Sequence, residues 1–413
     1  MSDTVYIAGV GMTAFGRHPA WSVKDLTRRA VWAALDDAGC ERSQLQAAYF
    51  ANATQGRMDG QHMIRGQLAL RAMGVQGLPV VNVENACASG STALHLAVQH
   101  VRSGAADIVL AVAAEKMHAG DTASMAGAFE GAWDVHATET SRARLRHMSE
   151  GIVPPAQSMG IPPWSMMLDI EAAWGRLHMR EFGSTQRDFA VVSSKNHGHA
   201  VHNPLAQCRA ACTVEQVLAA PPLSYPLTLP MCSPPADGAA AAIACSEAGL
   251  KALRMARSRE VRVLGCALQT GSDRGAADFE HHLVRLASRR LYEQAGLGPS
   301  EVDVAEVHDA TAIGEVLQAE LLGLVPMGSG GLAAERGETT IGGRIPINPS
   351  GGLLCKGHPI GASGLGQIVE LVAQLRAGSG ARQVHGARIA LASNGGGFVG
   401  VENAVACLTL LGR

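Results

Sequence analysis

Aromatic side chains make up only 4% of the 413 residues, and the formal net charge is −2. With an isoelectric point near 6.8, no surplus of positive charge marks a nucleic-acid groove or an anionic membrane surface. No apolar run approaches the roughly 20 residues of a membrane span. The opening MSDTVYIAGVGMTAFG holds neither a basic region followed by an apolar core nor an Arg/Ser-rich presequence, and the closing LTLLGR is not a peroxisomal tripeptide; no targeting segment is expected. A P-loop is absent, and Gly9-Val-Gly11 lacks the third glycine of a dinucleotide fingerprint. The nine cysteines are odd in number and scattered through apolar stretches, which argues for reduced thiols, against a disulfide framework, and for a cytoplasmic location.

What is abundant is small and apolar: 47% hydrophobic residues and 48 glycines, enough for a large core spread over two or three units. The first and last parts of the chain repeat one plan. Near the start, Val5 to Gly9 reads as a strand, and Ser22-Val-Lys-Asp25 as a capping box opening a helix to about Asp37 that stops at Gly39. The order returns as the run Val261 to Gly265, then a helix-like stretch from about Phe279 to Ala295 stopped at Gly296. Ala88-Ser-Gly90 and Ala362-Ser-Gly364 each open a further helix, followed by the strands Ile108 to Ala113 and Ile389 to Ala392. Alternating strands and helices predict an α/β protein of parallel sheets covered by helices, built as two duplicated halves that face each other.

From Lys116 to Ala236 the alternation fails. Trp133, Trp164 and Trp174, the Pro-Pro pairs at 154–155 and 162–163, and many methionines predict an inserted loop domain with short helices such as Met166 to Phe182. Met117, Met125, Met148, Met159, Met166 and Met167 either line an irregular acyl groove or pack the insert onto the core. The divisions expected are 1–115 plus 237–258, 116–236, and 259–413.

Four segments carry chemistry. Cys87 stands between the run Leu78 to Val83 and a strong helix, where free N–H groups and the helix dipole favour a thiolate; the alternative is a buried structural cysteine. A nucleophilic thiol needs a base. His358, just before the second Ala-Ser-Gly helix start, faces Cys87 by the duplication, although alone it would pass as one of sixteen histidines in a Gly-rich loop. His308 ends the alternating run Val302, Val304, Val307, at the strand end where open α/β sheets place ligands. Ser393-Asn-Gly-Gly-Gly397 is a turn able to aim an N–H at an oxyanion together with the N–H of Cys87. No metal site is expected: Cys208, Cys212, His197, His199 and His202 fit no standard zinc spacing.

Taken with Glu115-Lys-Met117, Lys195-Asn-His197, Asn203-Pro204, Met231 through Ala239, His308-Asp309 and Asn348 through Gly364, these segments resemble the thiolase superfamily, most closely the thiolases associated with sterol carrier protein and acetyl-CoA acetyltransferase-like proteins. The resemblance runs through nearly the whole chain. It implies the thiolase fold, a five-layered αβαβα arrangement with an inserted loop domain, acting on coenzyme A thioesters as substrates with no tightly bound cofactor. It further implies that Cys87 carries the acyl group, that His358 activates it, that His308 holds the thioester oxygen of the second substrate, and that the N–H groups of Cys87 and Gly395 form the other oxyanion hole. A homodimer or dimer of dimers is implied as well.

One part of the pattern is missing. Carbon–carbon bond chemistry in such enzymes uses a second cysteine as acid/base, in the C-terminal Gly-rich turn or directly after the His-Asp pair, and these positions hold Ser393 and Ala310. Cys355 and Ser393 are the auxiliary candidates. Coenzyme A would meet the insert and the cleft rim, where Arg142, Arg144 and Arg146 either take its phosphates or form a solvated face. Three readings follow: a coenzyme A-dependent C-acyltransferase; a retro-aldolase on the same fold, working with a small zinc-ribbon/OB-fold partner; and a non-catalytic acyl- or lipid-binding protein.

Overall fold

A computed structural model describes residues 4–118, 122–160 and 166–413. Pro162, Pro163 and Trp164 lie outside the described residues. Nine strands form one sheet: β1 (Val5–Met12), β2 (Ala47–Ala51), β3 (Val80–Val83), β4 (Ile108–Glu115), β5 (Gly238–Cys245), β6 (Arg262–Thr270), β7 (Val304–Glu306), β8 (Ile389–Gly396) and β9 (Val405–Gly412), in the order β3-β2-β4-β5-β1-β6-β9-β8-β7. From the β1–β6 junction outward, β1-β5-β4-β2 mirrors β6-β9-β8-β7. The duplication reaches fine detail: the β1–β5 register slips between Ile7 and Gly9, and the β6–β9 register slips between Val263 and Gly265.

The sheet is mixed, which corrects the expectation of parallel sheets. Only β2–β3, β2–β4 and β7–β8 are parallel. The long pairs β4–β5 and β8–β9 are antiparallel, the first joined through the helical insert and the second by the short turn between Gly396 and Val405.

Two helices, Ser89–Arg102 and Ser363–Leu375, lie between the halves of the sheet. The first packs on β4 and β2 as well as β6 and β9; the second packs on β5 and β1 as well as β8 and β7. Outside them, Val23–Ala38 covers β1, β5 and β4, and Leu283–Ala295 covers β6 and β9. The result is the five-layered αβαβα arrangement. Leu94, Ala97, Val98, Leu365, Ile368, Leu371 and Val372 are buried in the central layer, where each large aliphatic side chain contributes about 1.5–3 kcal/mol.

The first outer helix starts and stops where the sequence says, and the second stops there. Ser22 and Asp25 form the capping box, and Gly39 and Gly296 close the two helices in left-handed conformation at φ 62° and 65°. The stretch from Phe279 divides: Phe279–His281 is a 3-10 turn, and the α-helix begins at Leu283, capped by the His282 ring. Between β4 and β5 the described residues form five α-helices, including Met166–Phe182 and Gln186–Ala200, and no strand. Among the described residues no helix is long and apolar enough to cross a membrane.

Candidate functional site

The charged residues of the sequence motifs turn out to be scaffolding. Glu115, at the end of β4, accepts from the N–H groups of Ala53 (2.5 Å) and Gly361 (3.2 Å) and from the Thr54 hydroxyl, and so ties the two halves together beneath the site. Lys116 pairs with Asp237, Lys195 with Glu315, and Lys356 with Glu306, all buried. Such groups are tolerated in a core only because each is paired and hydrogen-bonded.

On this frame Cys87 sits in a 3-10 turn, Ala86–Ala88, that runs into the helix Ser89–Arg102. Ala86 has φ 48°, an uncommon value for a residue with a Cβ. The Ser89 hydroxyl holds the turn, donating to the Ala86 carbonyl at 2.6 Å and accepting from the Asn85 N–H at 2.9 Å. The mirrored turn, Ile360–Ala362, leads into Ser363–Leu375 and faces the first. The approach requires glycine on both sides: a Cβ at Gly90 would come 2.5 Å from the Gly361 carbonyl oxygen, and one at Gly364 would run into the Ser91 hydroxyl and come 2.7 Å from the Asn394 amide oxygen.

The structure brings together Cys87, His308 and His358: one side-chain nitrogen or sulfur from each lies within 4.8 Å of the others, and all three residues are buried. The imidazoles meet edge to face, centroids 5.5 Å apart. Their tautomers are set by different partners. His358 Nδ1 lies 2.7 Å from the Ser363 hydroxyl oxygen, which also reaches the Pro359 carbonyl at 3.4 Å, so Nδ1 is engaged there and Nε2 is left for the site. His308 Nδ1 lies 2.9 Å from the Asn394 amide nitrogen, a donor, so the proton of His308 is on Nε2. His308 therefore offers a hydrogen-bond donor, and His358 offers its Nε2.

Electrostatics correct the expected thiolate. Burial pushes the Cys87 thiol up to about 12, reinforced by Glu171 and Glu115, while the N–H groups of Gly397 and of Cys87 itself pull the other way and lose. Burial also lowers His308, to about 4, and lowers His358 well below its ordinary value, helped by His308. The resting site thus holds a neutral thiol beside two neutral imidazoles.

Other expected residues lie in β8 and in the core behind the site. Gly395 stays in β8, opposite Ala406. A further N–H, that of Gly397, where the backbone turns with φ 62° just after β8, reaches the Cys87 sulfur. Ser393 donates to the Gln318 side-chain oxygen at 2.6 Å and is committed there. Cys355 is fully buried in the core shared by the insert and the C-terminal half; its nearest charge-bearing neighbours begin with Cys208, and burial pushes its thiol well up. It packs in that core.

Met117 and Met125 pack around Cys87 with Ile360, whereas Met148 belongs to the insert core and Met159 is exposed. Met166 and Met167 pack half-buried against that same core. Arg142, Arg144 and Arg146 are exposed, and Arg142 pairs with Glu139. His197 turns to the Ala210 carbonyl and, at 3.8 Å, to the Cys208 sulfur, while His199 turns to Asn348.

Sequence reasoning missed Glu171. It lies on Met166–Phe182 within the unbroken buried run Ile170 to Gly175, and a carboxylate inside such a run is the signal that could have found it. It accepts from the Thr311 hydroxyl at 2.7 Å and, with His308, Gln318 and Asn403, lines a cavity walled by Trp174, Leu177, Phe279 and Leu317.

Comparison with known proteins agrees with this architecture. Residues 5–154 match the model of the thiolase N-terminal domain, and residues 265–409 match that of the thiolase C-terminal domain-like family. The chain is 35% identical over 412 residues to non-specific lipid-transfer protein-like 2 of Caenorhabditis elegans, covering 96% of this chain and 95% of that one. It is 37% identical over 403 residues to an acetyl-CoA acetyltransferase of Methanothermobacter thermautotrophicus, covering 96% and 97%. A solved structure titled Ltp2-ChsH2(DUF35) aldolase matches with a TM-score of 0.77 at 25% identity, covering 100% of this chain and 98% of that one.

Proposed function

The chain belongs to the thiolase family, and from that premise we propose that it is an acyl-CoA C-acyltransferase that carries its acyl group as a thioester on Cys87. The observation that carries this reading is the convergence of Cys87, His308 and His358 with complementary ring nitrogens. As the sulfur attacks the thioester carbonyl, His358 Nε2 takes the thiol proton and returns it to the departing coenzyme A thiolate. The N–H groups of Cys87 and Gly395 meet the tetrahedral oxyanion, while the Gly397 N–H lies on the sulfur. His308 Nε2–H holds the thioester oxygen of the second acyl substrate. A neutral thiol suits this sequence, since proton removal is coupled to attack and a buried charge is avoided in the empty site.

The apolar walls Trp174, Leu177, Phe279 and Leu317 beside His308 support an apolar acyl group, of the fatty-acyl or sterol side-chain kind. Coenzyme A enters as substrate and leaves as product; a tightly bound cofactor has no part in the scheme. The division 1–115 plus 237–258, 116–236 and 259–413 belongs to the same proposal, supported by β5 completing the first half of the sheet and by the all-helical segment before it. A homodimer is supported by the edge position of β3 and the exposure of Val81, Met63 and Ile64 near it. Nine free cysteines support a reducing, cytoplasmic setting.

Incubation with an acyl-CoA followed by intact-protein mass spectrometry tests the acyl-enzyme. Wild type gains the acyl mass and Cys87→Ala does not; no adduct on wild type, or an undiminished one on Cys87→Ala, overturns the proposal.

The retro-aldolase reading has its own support: Ala310 and the committed Ser393 leave both positions of the second cysteine empty, and a structural relative is titled an aldolase with a DUF35 component. Such an enzyme, with a small zinc-ribbon/OB-fold partner, cleaves a β-hydroxyacyl thioester without free coenzyme A. Strict dependence on free thiol counts against it.

A further inference from the structure

We infer that Glu171 is the acid/base of the carbon–carbon step, standing in for the second cysteine that Ala310 and Ser393 do not provide. The inference rests on the acyltransferase reading and deepens it. Three observations on placement carry it. The Glu171 carboxyl is held by Thr311, the residue directly after Ala310, so it occupies the neighbourhood of the missing thiol although it comes from the insert, some 140 residues away in sequence. It lines the same cavity as His308, the ring whose Nε2–H faces the second substrate in the proposed scheme. It lies close enough to the Cys87 sulfur to act on it electrostatically.

Burial raises Glu171 to about 7, opposed by the Thr311 hydrogen bond, which leaves the carboxyl able both to take and to give a proton near neutrality. Among the described residues the Thr311 hydroxyl is the one side-chain donor to this buried carboxyl, a costly placement for a group with a purely structural role.

The step balances as follows. The Glu171 carboxylate takes a proton from the carbon next to the carbonyl of the second acyl-CoA. The C–H electron pair becomes an enolate, whose oxygen is held by His308 Nε2–H. The carbon then attacks the carbonyl of the Cys87 thioester; the new C–C bond forms, the C–S bond breaks, and the Cys87 thiolate leaves. The proton held by Glu171 passes back to that thiolate, restoring the starting state. Cleavage of a 3-oxoacyl-CoA runs the same steps in reverse.

Cys232 is the competing group, because its thiol also lies within electrostatic reach of Glu171. Its sulfur is turned to the Thr228 carbonyl at 3.7 Å, and burial pushes its thiol far up.

The test compares wild type, Glu171→Gln, Glu171→Asp and Cys232→Ser on two readouts: the acyl adduct on Cys87, and deuterium uptake at the α-carbon of acetyl-CoA in heavy water. Glu171→Gln keeps the adduct and loses exchange by about 10²–10⁴-fold. Glu171→Asp keeps the adduct and exchanges at an intermediate rate, and Cys232→Ser keeps both. Adding Ala310→Cys to Glu171→Gln restores part of the exchange, which a merely structural defect would not allow.

Exchange in Glu171→Gln within threefold of wild type overturns the assignment, as does loss of the adduct together with exchange in both Glu171 variants. So does a wild type that acylates but exchanges nothing. A wild type that gains no adduct is a different failure, and removes the acyltransferase reading beneath this one.

Discussion

His358 Nδ1 and the Ser363 hydroxyl lie 2.7 Å apart, five residues apart in sequence, across the start of the second central helix. In the proposed scheme this hydrogen bond keeps the His358 proton on Nδ1 and leaves Nε2 free for the Cys87 thiol. Ser363→Ala removes the acceptor that specifies the tautomer. The lost hydrogen bond is worth about 1 kcal/mol, or roughly a fivefold slower acylation. Stopped-time mass spectrometry of the Cys87 adduct measures it, and an unchanged acylation rate would sever Ser363 from the base.

The neutral Cys87 thiol gives a second prediction. With burial holding it up at about 12, its alkylation by iodoacetamide keeps accelerating with pH beyond pH 9, where an ordinary exposed cysteine has levelled off. Peptide mapping separates Cys87 from Cys208, which is only partly buried and which His197 pulls below the usual thiol value. A plateau for Cys87 below pH 8 would mean that a resting thiolate exists.

What could be read from the sequence was local or repeated. Ser22-Val-Lys-Asp25 and the glycines at 39 and 296 encode helix ends through contacts a few residues long. The two Ala-Ser-Gly helix starts expose the duplication that brings Cys87 and His358 together. Strand direction was not legible, since β5 and β9 owe theirs to connections whose paths depend on the whole fold. Glu171 belongs to a helix whose place beside Cys87 is set by tertiary packing of the insert; its apolar neighbours mark it as a buried carboxyl, but its spacing from Cys87 does not point to the site.

Glu171 also leaves a mark on stability. Its carboxyl is raised from the ordinary 4.5 to about 7 by burial, so the folded state holds its proton more tightly than the unfolded chain does. This contribution is fully present below pH 4.5 and is lost as pH rises through 7, for a total of roughly 3 kcal/mol. Glu171→Gln cannot ionise and does not suffer that loss. Its melting temperature should therefore exceed that of wild type at pH 8, with the gap closing toward pH 5. Parallel curves for the two proteins over that range would show that Glu171 does not titrate as placed.

Lys356 tests whether the buried pairs hold the site's loop. Its ammonium lies 3.1 Å from Glu306 and 3.1 Å from the Ser350 hydroxyl, with both charged side chains almost wholly out of solvent. Two residues on stands His358, so the pair anchors the loop that delivers the base. Lys356→Met leaves Glu306 buried without its cation, and breaking such a pair from one side costs about 3–5 kcal/mol. Glu306 is already raised by burial, with Lys356 the largest opposing influence. Without Lys356 it rises further and takes up a proton, so the loss should be larger at pH 8 than at pH 5. Adding Glu306→Gln removes the stranded charge and should recover most of the stability, while Arg142→Ala, which breaks an exposed pair, should change it by less than about 1 kcal/mol. Denaturant melts of the four proteins at the two pH values decide the matter: equal losses for Lys356→Met and Arg142→Ala would show that the buried pair contributes no more than a surface one.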